Sequence, residues 1–248
     1  MEETAENLKR MAKFGISEGI SEIILTTKNV SESFETGIAE TDSTDSIRTA
    51  NAAPFGITWK NNKMFLHLYK GSTTYENLMH EDYFAANMTD DAVLFAESTF
   101  YDLENEAFDT VIYVEESADK DGKNQTSSST STLSSISIPV LKNADRFVLF
   151  KCVKRLEASD SVVIDITPVD FFVLNSEKEG FVFNRGFHSV IEACIHLTRY
   201  ELTKDPVYID YIRHHQRIIQ RCGRKQDKKG FAIVKKRLME LEIADCFD

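Results

Sequence analysis

The sequence predicts a mainly β fold with α: an antiparallel β-barrel followed by a C-terminal helical segment. Three observations predict it. Between Ile20 and Leu174, short runs rich in β-branched and aromatic residues recur with turn signals between them. Residues 63–70 alternate with a period of two, as a strand with one covered face does. After Gly180 the apolar spacing changes to steps of three and four, the helical period. At 248 residues the chain can bury a core of ordinary size. The barrel is drawn at residues 15–175 and the helical segment at 184–248.

Taken in order, Glu2 to Phe14 form a short amphipathic helix through Leu8, Met11 and Ala12, and Gly15 ends it. Ile20 to Lys28 is a β-branched strand. Asn29 to Ser46 is an acidic segment without periodicity, read as a surface loop. Asn51 to Lys60 and Lys63 to Lys70 form a hairpin, because Asn61-Asn62 can adopt the positive φ angles of a two-residue turn. In its second strand Phe65, His67 and Tyr69 face one way and Met64, Leu66, Leu68 and Lys70 the other; one side lines the barrel, and His67 is read as interior and hydrogen-bonded, with a cofactor role as the alternative. A short helix follows, with Thr73 and Glu76 spaced as a capping box.

Tyr83 to Thr89, Ala92 to Glu97, Phe147 to Leu156, Ser161 to Thr167 and Val169 to Leu174 supply the remaining strands. Residues 115–135 are nearly free of apolar side chains and read as a mobile loop. Phe187 to Leu202 then carries Phe187, Val190, Ile191, Cys194 and Ile195 at helical spacing. Pro206 opens a second helix that runs to Cys222 with Gly223 as its stop, and Phe231 to Ile243 makes a third.

With Lys+Arg 29 against Asp+Glu 40, the net charge of -11 argues against a nonspecific nucleic-acid binder, which needs a basic face to replace phosphate counterions, and leaves room only for a local basic patch. The C-terminal cluster of Arg224, Lys225, Lys228, Lys229, Lys235, Lys236 and Arg237 is read as a solvated face. Cys152, Cys194, Cys222 and Cys246 are far apart and form no C-x-x-C pair, which fits free thiols in a reducing cytoplasm. No apolar run approaches the length of a membrane span, and none resembles a signal peptide. A cytoplasmic protein without membrane or nucleic-acid partners is the expectation.

Three runs carry chemistry: Asn51-Ala-Ala-Pro-Phe-Gly56, Lys70-Gly-Ser-Thr-Thr-Tyr-Glu-Asn77 and Asn87-Met-Thr-Asp-Asp91. The middle run suits a phosphate. Lys70 supplies a cation, Gly71 lets the backbone approach closely, and Ser72, Thr73 and Thr74 supply hydroxyls and amides at the positive end of a helix. The competing reading is that those hydroxyls only cap the helix, and that Asn51, Pro54 and Gly56 are turn chemistry at a strand start.

The order of these runs, an N-A-x-P strand start, a hairpin, a K-x-S-x-T-x-x-N-like loop and an N-x-T strand end, resembles the flavin-reductase-like FMN-binding split barrels. More narrowly, the chain resembles an archaeal family of unknown function built on that barrel, from about Ile20 to Asp91 and from about Asn184 to Arg199. The resemblance implies a split β-barrel with FMN as cofactor. It implies that Tyr69, Lys70, Gly71, Ser72, Thr73 and Thr74 surround the phosphate, that Asn77 steadies the loop, and that Pro54, Phe55 and Gly56 lie along the isoalloxazine. Asn87 would stand near the same pocket, and Arg185 or His188 would reach the flavin or its substrate. A homodimer with flavin at the subunit interface is implied, acting on a small-molecule redox substrate. The activity implied is flavin-reductase-type oxidoreduction; the alternatives are a non-catalytic binder of FMN or a similar phosphorylated heterocycle, and an enzyme of a pterin-like pathway.

On the first C-terminal helix Arg185, His188, Glu192, His196 and Arg199 share one stripe. No metal is assigned to it, because a helical site needs a further ligand and no H-E-x-x-H is present. The stripe is read as a polar seam. His214 and His215 are read as lying on a solvated face. No G-x-S-x-G occurs, and no catalytic residue is assigned.

Overall fold

The computed structural model describes residues 2–30, 49–116, 133–176 and 182–243. Helix α1 (Glu2–Lys13) precedes strands β1 (Gly19–Lys28), β2 (Ala50–Lys60) and β3 (Lys63–Tyr69). Then come α2 (Thr73–His80), β4 (Tyr83–Met88) and α3 (Ala92–Phe100). Strands β5 (Phe108–Glu116), β6 (Leu133–Leu141), β7 (Arg146–Glu157) and β8 (Ser161–Val173) lead to helices α4 (Arg185–Thr203), α5 (Val207–Cys222) and α6 (Lys225–Glu240).

Six strands close a barrel in the order β1-β2-β3-β8-β7-β4, with antiparallel pairing throughout. The β2–β3 hairpin turns through Asn61 (φ 52) and Asn62 (φ 59), the positive angles expected of that dipeptide. Along β3, Met64, Leu66 and Leu68 are buried inside the barrel with Ile23, Leu25, Ile57, Phe84, Val148, Phe150 and Ile164. His67 is therefore not interior. It is exposed beside Tyr69, its ring centroid 5.1 Å away.

Three other readings of local structure are corrected. Residues 92–97 are helix, not strand: the Asp91 carboxylate accepts from the amides of Val93 and Leu94 and starts α3. The runs 161–167 and 169–174 are one strand, β8, whose register against β7 slips between Leu149 and Phe150, opposite Asp170 and Pro168; proline has no ladder donor and is accommodated at such an irregularity. The last helix begins at Lys225 rather than Phe231, because the Asp227 carboxylate, in the first turn, accepts from the Arg224 amide at 2.8 Å and holds the helix start.

Two strands fall where the sequence reading has none. β5 and β6 pair with each other from Phe108↔Leu141 to Glu116↔Leu133, so both ends of the 115–135 segment are strand; residues 117–132 lie outside the described residues, as does most of the acidic 29–46 segment. This hairpin covers the outer face of β4 and β7 through Ile138, Val140, Tyr83 and Phe147. Helix α3 covers the adjacent outer wall, where Leu94 packs with Ile24 of β1 and Ala52 of β2. The C-terminal helices hold a core of their own, built from Ala193, Leu197, Ile209, Ile212, Ile219, Phe231, Val234 and Leu238. No helix among the described residues is long and apolar enough to cross a membrane.

Candidate functional site beneath helix α3

The third strand ends at Tyr69, and the chain turns into α2 through Gly71, whose φ of 84 favours glycine. Nothing lies within 4 Å of where a Cβ on Gly71 would sit, so its role is conformational and not a close approach to another group. Ser72, not Thr73, is the N-cap: its Oγ accepts from the Tyr75 amide at 3.2 Å and donates to the Tyr69 carbonyl. The N-cap thus lies one residue before Thr73, and with Tyr75 at the third helical position no capping box forms, so Glu76 does not play the part read for it. An α-helix leaves the amides of its first turn without an internal acceptor, and Ser72 Oγ takes only that of Tyr75.

Both ends of α2 are fixed. Thr74 is buried and its hydroxyl accepts from Asn51 Nδ2 at 3.0 Å, which ties the helix start to β2. At the other end Arg155 of β7 donates from Nε to the Leu78 carbonyl at 2.8 Å and from Nη2 to that of Glu81 at 3.0 Å, a cation on terminal carbonyls. Asn77 is buried, and its side chain binds Thr27 Oγ1, Asn29 Oδ1 and the Val30 amide. It locks the helix to the end of β1 and is committed to that task.

Ser72, Thr73 and Thr74 line a cavity of about 240 Å³ with Asn51, Ala52 and Ala53 of β2 and, opposite, Ser98 to Phe100 of α3 and the following Tyr101 and Asp102. A second cavity, of about 340 Å³, lies at the other end of α3 between Glu22, Asp91, Ala92, Phe95, Phe183 and Arg185. Strand β2 connects the two, since Gly56 is paired with Glu22. Ala52, Pro54 and Gly56 share its outer face by alternation, whereas Phe55 packs with the barrel interior. A Cβ on Gly56 would meet Ile20 Cγ2 at 2.6 Å, so glycine lets β2 lie close against the Ile20 side chain of β1. The nine residues of α3 span roughly 13 Å, which sets the separation of the two cavities along its axis.

Other predicted site residues do not converge here. Lys70 is paired with Glu157 at 3.2 Å and is not among the residues lining the first cavity. Tyr69 is exposed and lies against His67. Asn87 is fully buried, with Nδ2 donating to the Ile24 carbonyl and Thr26 Oγ1, both at 3.0 Å, and Oδ1 accepting from the Leu141 amide at 2.9 Å. It knots β1, β4 and β6 together and faces no cavity. Its position at a strand end is as expected; its side chain is spent on the fold.

The α4 stripe divides. Asn184 caps the helix by accepting from the Phe187 amide, which sets Arg185 at the second cavity. His188 is exposed near the rings of Phe183 and Phe187. Glu192 and His196 turn instead toward α5, where His215 is half-buried and only His214 is exposed, so the reading of both as solvated holds for one. Burial pushes the His215 imidazole below its ordinary value, as do His196 and His214, with Glu192 opposing. In the second cavity burial pushes the Glu22 carboxyl above its ordinary value, against the pull of Arg185 and Arg221. Burial also pushes the Cys152 thiol up to about 12, leaving it protonated and inert.

Sequence reasoning missed Glu22, Phe95, Ser98, Thr99 and Asp102. Asp91 closes the Asn87–Asp91 run, where the sequence reads as a strand end and the structure makes it the N-cap of α3. The one available signal was the Asp91-Ala92 junction, an N-cap before an apolar run, which places a helix over this wall.

Two family models match the chain. One is described as the N-terminal domain of a protein of unknown function (DUF447) and matches residues 41–175; the other, described as protein of unknown function (DUF447), matches residues 184–236. A solved structure of the same family, that of the FMN-bound protein MM1853 from Methanosarcina mazei, is 34% identical, covering 91% of this chain and 98% of that one, with a TM-score of 0.49. The styrene monooxygenase flavin reductase of Pseudomonas putida S12 is 12% identical over 67% of this chain and 87% of its own, with a TM-score of 0.35. An uncharacterized protein of Methanocaldococcus jannaschii, MJ1453, is 53% identical over 38 residues, which are 15% of this chain and 20% of that protein; the match thus spans about a fifth of that relative's length.

Proposed function

We propose that this chain, which belongs to the DUF447 family, binds FMN in the cleft beneath α3 and works as a flavin-dependent oxidoreductase of flavin-reductase type. The observation that carries the reading is the pairing of unlike cavities at the two ends of one helix. At one end hydroxyls and the free amides of a helix N-terminus gather; at the other Phe95, Phe183 and an arginine bound a largely apolar space. A flavin mononucleotide has the matching asymmetry, a phosphate dianion joined by a flexible chain to a flat amphiphilic ring. Identity of 34% over 91% of this chain to the FMN-bound protein MM1853 supports the same reading.

In this assignment Ser72, Thr73 and Thr74 hold the phosphate, with Asn51 fixing Thr74, and the backbone of 54–56 runs along the chain between phosphate and ring. Arg185 presents a cation to the ring end, where it also offsets the Glu22 carboxylate. When bound, FMN supplies the capacity to accept a hydride and pass electrons on. The protein orients it and excludes water from one face. Lys70, engaged with Glu157, leaves the phosphate end without a cation from its own loop. We place the site in a homodimer, in which the second copy closes the cleft, and the protein in the cytoplasm, in keeping with the free thiols Cys152, Cys194 and Cys222.

The test is a titration of purified, flavin-free protein with FMN, followed by its fluorescence. Saturable quenching with a ring-and-phosphate preference (FMN over riboflavin) is expected, and loss of that preference in Ser72→Ala/Thr74→Val supports the phosphate assignment. Equal affinity for riboflavin and FMN would sink it. Oxidation of a reduced nicotinamide by the loaded protein separates an enzyme from a protein that only holds the flavin.

A further inference from the structure

The polar stripe of α4 lacked a ligand from a second element, and α5 provides one. Glu192 and His196 stand one turn apart on α4, with His196 Nε2 3.9 Å from Glu192 Oε2. His215 projects from α5, its ring 5.4 Å from that of His196 at an interplanar angle of 23°. One donor atom from each of the three lies within 4.8 Å of the other two. Nitrogen or oxygen ligands about 2.0–2.2 Å from a tetrahedral ion stand roughly 3.3–3.5 Å apart, so closure requires only small side-chain rotations, and the exposed Glu192 carboxylate can make the largest of them.

A second observation points the same way. Nδ1 of His196 and Nδ1 of His215 are both buried and have no hydrogen-bond partner among the described residues. Buried ring nitrogens are ordinarily satisfied, and two orphaned ones on imidazoles whose centroids are 5.4 Å apart are costly unless a ligand engages the rings. The surrounding rings of Tyr208 and Tyr211 restrict the imidazoles from one side, with His196 centroids at 5.9 and 5.0 Å from them.

We propose that Glu192, His196 and His215 form a site for a divalent transition-metal ion of the zinc class, held between α4 and α5 and independent of the cleft beneath α3. Two imidazoles with one carboxylate favour zinc and its neighbours over magnesium or calcium, which prefer all-oxygen shells. Three protein ligands leave at least one coordination position for water or a small anion. Binding there would pin α4 against α5, the helix pair whose first member also carries Arg185.

The test uses the full-length chain, stripped with a chelator and titrated with Zn²⁺ alone by calorimetry. About one ion per chain is expected, with affinity reduced at least about tenfold in His196→Ala and in His215→Ala and unchanged in His67→Ala. Co²⁺ as a second probe should give the visible bands of a four- or five-coordinate nitrogen–oxygen site. A thiolate charge-transfer band would instead assign the ion to an exposed cysteine such as Cys194 and overturn the proposal, as would binding that survives both histidine substitutions or no binding at all. Should either variant fail to fold, the unmutated chain decides: Zn²⁺ must perturb the imidazole proton signals of His196 and His215 among its six histidines. Perturbation confined to the other four overturns it.

Discussion

Asn51 Nδ2 donates to Thr74 Oγ1 at 3.0 Å, and this one bond joins the strand that floors the cleft to the helix that opens onto it. Thr74 is buried, so its hydroxyl has little water to turn to if Asn51 is removed. The pair therefore couples the stability of α2 to the shape of the candidate phosphate cradle.

Thr74→Val keeps the volume and deletes the acceptor. It should cost about 1–3 kcal/mol, because it strands the Asn51 amide in a half-buried position. Urea unfolding measures the loss, and the FMN titration should weaken in parallel. Normal flavin affinity in a destabilised Thr74→Val protein would mean the cradle is not the phosphate site.

Asn87 gives the opposite pattern. Asn87→Ala leaves the Leu141 amide and Ile24 carbonyl short of a partner in the barrel wall and should cost on the order of 2–4 kcal/mol. Flavin affinity per folded molecule should stay the same, since the side chain reaches no cavity. A selective loss of binding without loss of stability would return Asn87 to the site.

Lys70→Ala tests how far a cation beside a hydroxyl-rich loop can be trusted. The lysine is a partly exposed partner of Glu157, so unfolding free energy should fall by less than about 1 kcal/mol and flavin affinity by less than about threefold. A larger drop in affinity would show that the lysine leaves Glu157 for the ligand.

The contrast between Lys70 and the hairpin before it indicates what the sequence could convey. Asn61-Asn62 between two alternating runs specifies its turn through local backbone chemistry, and the structure follows it residue by residue. The stops at Gly15 and Gly223 and the strand alternation of 64–68 are legible for the same reason. Side-chain direction is not local. Lys70 turns to Glu157 and Asn87 turns into the wall because of residues on β7 and β6, far along the chain. The β5–β6 hairpin escaped notice because its strands are separated by the 117–132 segment and no short turn announces them. Likewise, Glu192 and His196 needed His215, which lies on another helix.

Glu22 makes a pH prediction. Its carboxyl is held above the ordinary value of 4.5 chiefly by burial, so the folded chain binds this proton more tightly than the unfolded chain. The sign follows: stability contributed by this group falls as pH rises from the ordinary value through the folded value, and the penalty is fully present above both. Glu22→Gln should therefore raise the melting temperature near neutral pH, with the gain fading as pH falls toward 4.5 and absent below it. Arg185→Ala should enlarge the penalty, because that cation, which with Arg221 lowers the carboxyl's value, no longer offsets the carboxylate. Thermal melts of the three proteins across that range test it, and a Glu22→Gln gain that persists in acid would contradict it.

Two glycines separate conformational need from lack of space. Gly186, in the first turn of α4, lies against the end of α5: a Cβ there would sit 2.3 Å from Gly223 Cα and 2.8 Å from its amide nitrogen, both backbone atoms that cannot rotate away. Gly186→Ala must push the two helices apart, costing about 1–3 kcal/mol or more, and because Asn184 and Arg185 begin the same helix it should also disturb the second cavity. Gly71 has the reverse situation, with open space but a φ of 84, so Gly71→Ala should cost only the left-handed penalty of about 1–2 kcal/mol. Gly71→Asn, which tolerates that conformation, should recover part of the loss, whereas no side chain at 186 can. Denaturant unfolding of the three variants distinguishes the two causes, and a Gly186→Ala protein as stable as the parent would show that the α4–α5 junction is looser than its atomic contacts indicate.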